Sequence, residues 1–407
     1  MFNEVLRIKL FPSITSVVGD KEMSLVKQKL SFNKIKSFLG SVFENDLHAK
    51  RIESLANATF GIVKSTSLAV HLIGQGLAQA KGLSTKHAIK QVDRLLSNPA
   101  IELGKCFYYW VKEVIGDSKE IKVIMDWTNF GKDKQATLVL SLATAYGRSV
   151  PLMWKTVFTS ELKGKRNDYE DELLNNFKEI IGEEVLVTIL ADRGFADQKL
   201  YDFLAELGFQ YVIRFRTNTY VKAEDGETKQ ASEWVGKSGR AKTLRNAMVT
   251  DLQYKVPTVV CVQDKGMKQP WCIVSNNPEA KARELINDYA KRWGTETTFR
   301  DSKDLRFGMG MSATTIAEPV RRDRLLLLGT FAIWLLTILG AAGESLGLDR
   351  LLKANTVKRR THSLLRQGIM WYELIPNMPK DRLQLLMKKF SEFIMNKDLF
   401  REIFCEI

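Results

Sequence analysis

The sequence predicts an α/β protein: a mixed β-sheet with helices on both faces, a β-rich insertion, and helical regions at either end. Three observations predict it. Between residues 121 and 216, short apolar runs of strand length alternate with helical patterns in the order β-β-β-α-β-α-β. Before them the apolar residues recur at threes and fours, and after them, from 217 to 274, the pattern loosens into a stretch rich in Lys, Gly and Thr.

The elements follow in order. Up to about residue 118 the chain reads as helical, with apolar periodicity in Ile52 to Ala80 and in His87 to Leu96. Ser84 or Thr85 can cap the second of these, and Asn98-Pro99 ends it. IKVIMDW is a strand that runs out at Asp126, ATLVLSLATA (136–145) a second, and VPLMWKTVF (150–158) a third; short turns between them predict an antiparallel meander. A polar helix at 166–181 leads to the strand VLVTILA (185–191), which runs out at Asp192. A helix at 197–207 and the strand QYVIRFR (210–216) come next. Completed by a helix, this order meets the requirement of a ribonuclease-H-like fold. The expected division is a helical DNA-binding domain at 1–118, a catalytic core at 119–216 and 275–345, a β-rich insertion at 217–274 with strands at Lys255 to Val262 and Trp271 to Ser275, and a helical C-terminal region at 346–407.

Composition narrows the function. With 407 residues and 45% apolar content the chain is globular and long enough for several structural units. Its 61 Lys and Arg against 47 Asp and Glu give a formal charge of +14, which favours a polyanionic partner, nucleic acid first. Lys81, Lys86, Lys90 and Arg94 make the N-terminal helices either a DNA reader or a solvated face. Four unpatterned cysteines and four scattered histidines predict reduced thiols in a cytoplasmic protein and no histidine-based site. The first twenty residues lack the marks of a secretory signal. Leu325 to Gly343 is uncharged and close to membrane-spanning length, but it is isolated and carries glycines and threonines, so a helix buried in a large core is expected and no membrane. No nucleotide-cradling loop is present, hence no nucleotide cofactor is expected.

The chemistry gathers on acids. Asp126 and Asp192 both stand at predicted strand ends, where carboxylates converge on one sheet edge, and a helical carboxylate packed there can join them. Such a cluster repels itself unless cations neutralise it, and two Mg²⁺ ions suit its oxygen ligands and the in-line displacement of a phosphoryl group. Singly, each acid has another reading: Asp192 can be a turn residue, with Asp197 capping the next helix, and Glu296 can pair with Arg292 or Arg300. Tyr289, Arg292, Glu296 and Lys303 lie three, four and seven residues apart, which on one helix makes a single stripe.

These residues reach a family. The chain resembles the DDE transposases of bacterial insertion sequences, in the branch with a Tyr-x2-Arg-x3-Glu-x6-Lys signature, the insertion-sequence-four family. Tyr289, Arg292, Glu296 and Lys303 match that signature; Asp126 in MDW and Asp192 in DRGF match the two aspartates, and the long spacing from Asp192 to Glu296 suits the branch's β-rich insertion. The resemblance implies a metal-dependent DNA endonuclease and strand transferase that cuts and pastes through a DNA hairpin. Asp126, Asp192 and Glu296 would be catalytic and hold two Mg²⁺, for which Mn²⁺ can substitute. Tyr289, Arg292 and Lys303 would contact DNA phosphates, and Trp271 would stack an extruded base. Trp293, by contrast, is expected in the core. The partners implied are double-stranded DNA, as terminal inverted repeats and target, and a second copy of the chain on paired ends. Two alternatives stay open: a non-catalytic DNA-binding regulator derived from a transposase, and another nuclease of the same fold.

Overall fold

The computed structural model describes residues 30–250 and 252–396; Cys405 and the end of the C-terminal amphipathic stretch lie outside them, as does the N-terminal segment read for a signal. Five helices lead: α1 (Phe32–Phe43), α2 (Ala49–Ser65), α3 (Val70–Lys81), α4 (Thr85–Leu96) and α5 (Leu103–Ile115). The apolar period from Ile52 to Ala80 is thus two helices, because α2 ends on Thr66 in the left-handed region at φ 47°. Gly61 lets the two cross closely, since a Cβ there would stand 2.5 Å from the Ile73 carbonyl oxygen.

The sheet begins with β1 (Glu120–Phe130), β2 (Gln135–Ala143) and β3 (Ser149–Phe158), an antiparallel meander. Helix α6 (Arg166–Ile181), β4 (Leu186–Ala191), α7 (Gln198–Glu206) and β5 (Gln210–Phe215) follow, with β1, β4 and β5 pairing in parallel. β2 is buried along almost its whole length, which is why it reads as a continuous apolar run. Next come β6 (Tyr220–Lys222), β7 (Thr228–Gln230), β8 (Lys242–Val249), β9 (Tyr254–Val262) and β10 (Trp271–Ser275). They extend the sheet already begun, because β10 pairs antiparallel with β5; the strand order is β3-β2-β1-β4-β5-β10-β9-β8-β6-β7. The fold is therefore mixed α/β, with one large mixed sheet.

Helices α8 (Ala282–Lys291), α9 (Trp293–Lys303), α10 (Pro319–Ser345), α11 (Leu364–Leu374) and α12 (Lys380–Met395) complete the described chain. On one face of the sheet α8 covers a small cluster of Ile124, Leu190, Val212, Val260, Ile273 and Tyr289. The main core, on the other, runs unbroken from Leu30 to Phe393, so the N-terminal helices share it with the sheet. Helix α10 is long and apolar enough to cross a membrane, but 83% of its apolar window is buried inside the fold, and it is a core helix. It is pinned to the sheet by charge: the fully buried Arg322 pairs with Asp133, donates from Nε to Gln135 Oε1 (2.6 Å), and lies 3.9 Å from the Phe130 ring. Beside it, Asp323 accepts from Thr156 Oγ1 (2.5 Å), and burial pushes its carboxyl up to about 7.

Helices α10 and α11 meet through glycine. A Cβ on Gly368 would collide with the Leu336 carbonyl oxygen, and one on Gly340 with that of Leu364. Backbone cannot yield as a side chain does, so Gly368→Ala is expected to destabilise the fold by about 3 kcal/mol or more. Thermal unfolding checks it; an unchanged midpoint contradicts the tight crossing.

Candidate active site

Register decides where the acids stand. The parallel ladder of β1 and β4 pairs Met125 with Ala191 and stops there, while β1 continues along β2 to Phe130. The expected strand end at Asp126 is therefore corrected: β4 ends, and β1 does not. Asp126 is the next residue of β1, and Asp192 is the first residue beyond β4. Alternation puts them on the side of Ile124 and Leu190, which face α8. Neighbouring strands lie about 4.8 Å apart, so two carboxylates there face the same space. Asp192 also keeps its local role, its Oδ1 accepting from Gly194 N at 2.7 Å, and Asp197 caps α7 by accepting from Lys199 N.

Glu296 arrives on α9, and that helix is not continuous with α8. The two meet at Arg292, whose dihedrals remain helical (φ −53°, ψ −32°), so no proline or glycine marks the break. Separate anchors divide them. α8 is held to the sheet by Lys122 Nζ donating to Asp288 (2.5 Å) and by the buried Leu285 and Tyr289. α9 docks on the turn after β2: Thr298 Oγ1 accepts from Ser149 N (2.9 Å), Arg148 Nε donates to Asp301 (2.6 Å), and Gly294 lies against the Arg148 carbonyl, 2.9 Å from where a Cβ would be.

The single stripe expected from Tyr289 to Lys303 is corrected accordingly. Tyr289 sits on α8, 1% exposed, its ring edge-on to Trp271 at 4.9 Å. Trp271 itself is half-buried at the start of β10. Trp293, expected in the core, is 48% exposed with the Arg292 guanidinium 5.1 Å from its ring. The buried face of α9 is Gly294, Thr295, Thr298 and Asp301, which leaves the indole outside.

One cation and two of the acids do meet. Arg292 is nearly buried; its Nη2 donates to Glu296 Oε1 at 2.7 Å and its Nη1 stands 3.5 Å from Asp126 Oδ2. The guanidinium thus bridges two acids, with its Nε buried and unpartnered. Burial pushes the Asp126 carboxyl up to about 6; Arg292 opposes this, and Asp192 and Glu296 reinforce it. Asp192 and Glu296 therefore both act on Asp126 through space. Lys303 donates to Thr128 Oγ1 (2.6 Å) and to the Asn129 carbonyl (2.7 Å) beyond Asp126 on β1, with its ammonium 4.2 Å from the Phe130 ring. Burial, aided by Arg322, lowers Lys303 to about 8.

Sequence reasoning missed a neighbouring cluster. Glu170 is buried and accepts from Trp127 Nε1 (2.7 Å) and Arg166 Nε (3.0 Å), while Arg166 spreads over the rings of Trp127 and Phe195. The signal was an Arg and a Glu four apart at the start of a helix otherwise read only as polar.

Chemically the acids fit a hard divalent cation, since they offer carboxylate oxygens alone. Among the described residues no three such groups are gathered closely enough to hold an ion as they stand, because Arg292 lies between two of them.

Comparison with known proteins adds the family. Residues 117–333, just over half of the chain, match the model of the transposase DDE domain, a family that generally uses divalent metal ions. No curated protein matches the chain. Among solved structures it is similar to the X-ray crystal structure of Marinitoga piezophila Argonaute in complex with 5′ OH guide RNA. That likeness has 9% identity over 60% of this chain and 38% of that one, at a TM-score of 0.24, too low to bear on the fold. By the domain that spans both aspartates, Glu296 and the first part of α10, this chain belongs to the DDE transposase family.

Proposed function

We propose that the chain is a cut-and-paste transposase of the Tyr-Arg-Glu-Lys branch, the insertion-sequence-four family, acting on double-stranded DNA in the cytoplasm as a homodimer on paired ends. The observation that supports this is the pairing of Asp126 and Glu296 through Arg292, with Asp192, just past the end of β4, acting on Asp126 through space. The order β3-β2-β1-β4-β5, with the first three strands antiparallel and β1, β4 and β5 parallel, supports a ribonuclease-H-like core, with residues 217–274 inserted before the Glu296 helix. Asp126, Asp192 and Glu296 would hold divalent cations, Mg²⁺ with Mn²⁺ as substitute and two in number, which when bound activate the attacking oxygen and neutralise the leaving one.

The chain's own residues do the rest. Arg292 neutralises the acids until a DNA phosphate offers its guanidinium a better partner. The arrangement favours that exchange, because an orphaned buried donor costs about 1–3 kcal/mol. Lys303, desolvated beside β1, would hold a neighbouring phosphate, and Tyr289, whose ring is buried, would act mainly by seating Trp271 edge-on. Trp271 would receive the base displaced during hairpin formation. Trp271→Ala is therefore expected to slow hairpin formation at least about 10-fold while first-strand nicking stays within about twofold. Equal loss at both steps makes Trp271 a packing residue.

A supercoiled plasmid carrying the DNA that flanks the gene, with its short inverted repeats, tests the proposal. In Mg²⁺ or Mn²⁺, nicks mapping to the repeat ends are expected. Specific binding without a nick in either metal would favour the non-catalytic regulator.

A further inference from the structure

Glu170 gathers two donors next to the acid site. It is 4% exposed, on the buried side of α6, and among the described residues its carboxylate is held by Trp127 Nε1 and Arg166 Nε alone. Trp127 follows Asp126 on β1 and alternates to the opposite face of the sheet, where α6 packs. Phe195 stands three residues past Asp192. The Arg166 guanidinium lies 5.5 Å from the Trp127 ring and 5.4 Å from the Phe195 ring, so the segments that follow both aspartates grip one cation.

Only part of that cation is used. Glu170 occupies Nε, while Nη1 and Nη2 have no partner among the described residues, and the side chain is 43% exposed. A Cβ on Gly194 would stand 3.0 Å from Asp192 Oδ1 and 3.9 Å from Arg166 Nη2, so the free end of the guanidinium and the carboxylate border one spot, which the exposed glycine leaves open. Asn167 Nδ2 donates to Asp197 Oδ2 (3.1 Å) and ties the start of α6 to the same turn. Lys163 and Lys165, exposed just before α6, make no side-chain contact among the described residues and extend the positive surface. A guanidinium fixed through one N–H and laid on two rings has little rotamer freedom left to lose, and its remaining fork matches the paired oxygens of a phosphate. Arg292 and Lys303 reach Asp126 and Thr128, on the other face of β1. Arg166 therefore brings a cation to the side of the acids that they leave uncovered.

We propose that Arg166 binds a backbone phosphate of the DNA strand lying in the acid site, with Glu170 and Trp127 as its positioning residues and with Lys163 and Lys165 beside the continuing strand. This rests on the transposase reading and adds to it a substrate contact outside the Tyr-Arg-Glu-Lys signature.

The test removes phosphate charges one at a time. Uncharged methylphosphonates are placed singly along a duplex ending in the element's inverted repeat, and binding is read by gel shift without divalent metal. The full chain is compared as wild type, as Arg166→Ala, and as Arg166→Ala combined with Glu170→Gln, each checked for folding by circular dichroism. The double variant leaves no unpaired buried carboxylate, so it carries the test if the single variant fails to fold. On unmodified DNA both variants should bind about 10-fold more weakly than wild type, with a salt dependence shallower by about one phosphate contact. At one position beside the nick, neutralisation should weaken wild type about 10-fold and the variants less than about twofold. Variants that keep the wild-type map and salt dependence would make Arg166 a structural partner of Glu170 and overturn the inference, as would a wild type sensitive at no position. Nicking of the unmodified duplex by wild type in Mg²⁺ reads the transposase proposal separately: a wild type that shows the Arg166-dependent phosphate and does not nick keeps this contact and removes the chemistry, whereas one that nicks without such a phosphate does the reverse.

Discussion

Replacing Glu296 by glutamine should leave DNA affinity within about twofold and reduce nicking by roughly 10³-fold or more, as expected when one ligand of a phosphoryl-transfer site is lost. The substitution preserves volume. It leaves α9 docked through Thr298, Asp301 and Gly294, none of which touches the carboxylate. It removes the negative charge opposite Arg292 Nη2, leaving only an amide oxygen to accept there, so the guanidinium becomes freer to meet a phosphate, and affinity has no reason to fall. Gel-shift and nicking assays on one preparation read both quantities. A variant that binds and still nicks would remove Glu296 from the chemistry.

Asp126→Asn should abolish nicking to a similar extent and at the same time make the protein more stable. The carboxyl of Asp126 titrates at about 6 in the fold against 3.8 for the ordinary side chain, chiefly because it is buried, with Asp192 and Glu296 adding to the rise. Between those values the folded state holds more protons than the unfolded one, so wild-type stability falls as pH rises from about 4 through about 6 and stays reduced above it. Asparagine has no charge to desolvate. At pH 7.5 the variant is expected to gain on the order of 1–3 kcal/mol, and its stability should lack the wild-type decline between pH 4 and 6. An inactive protein that is more stable marks a residue kept for chemistry at the expense of the fold. Denaturant unfolding at pH 4.5 and 7.5 measures it, and an Asn variant less stable at pH 7.5 would mean that the contact with Arg292 outweighs burial.

The sheet was legible because its signals are local. Alternation and turns placed β2 and β3 within two residues of where they are, and α6 runs over the expected 166–181. What the sequence hid was set by contacts distant in the chain. Nothing at Arg292 forbids a continuous helix; α8 and α9 part because Asp288 is held by Lys122 and Asp301 by Arg148, at opposite edges of the meander. Trp293 was misjudged for the same reason, since the buried face of α9 is chosen by the turn on which Gly294 and Thr298 rest. The length of β1 was hidden because its first half pairs with β4 and its second half only with β2, and apolarity drops where β4 stops. Asp126 was therefore placed correctly beside Asp192 for an incomplete reason: the ladder ends there, the strand does not.

Strand joining tests the central claim most directly. A duplex ending in the element's inverted repeat, with its 3′-hydroxyl exposed, is incubated with the full chain, Mg²⁺ and a supercoiled target. Wild type should join that 3′ end covalently to the target, and Asp126→Asn, Asp192→Asn and Glu296→Gln should each fall to background. Wild-type nicking without joining would make the chain another nuclease, and joining that survives in any of the three variants would contradict the assignment of that acid.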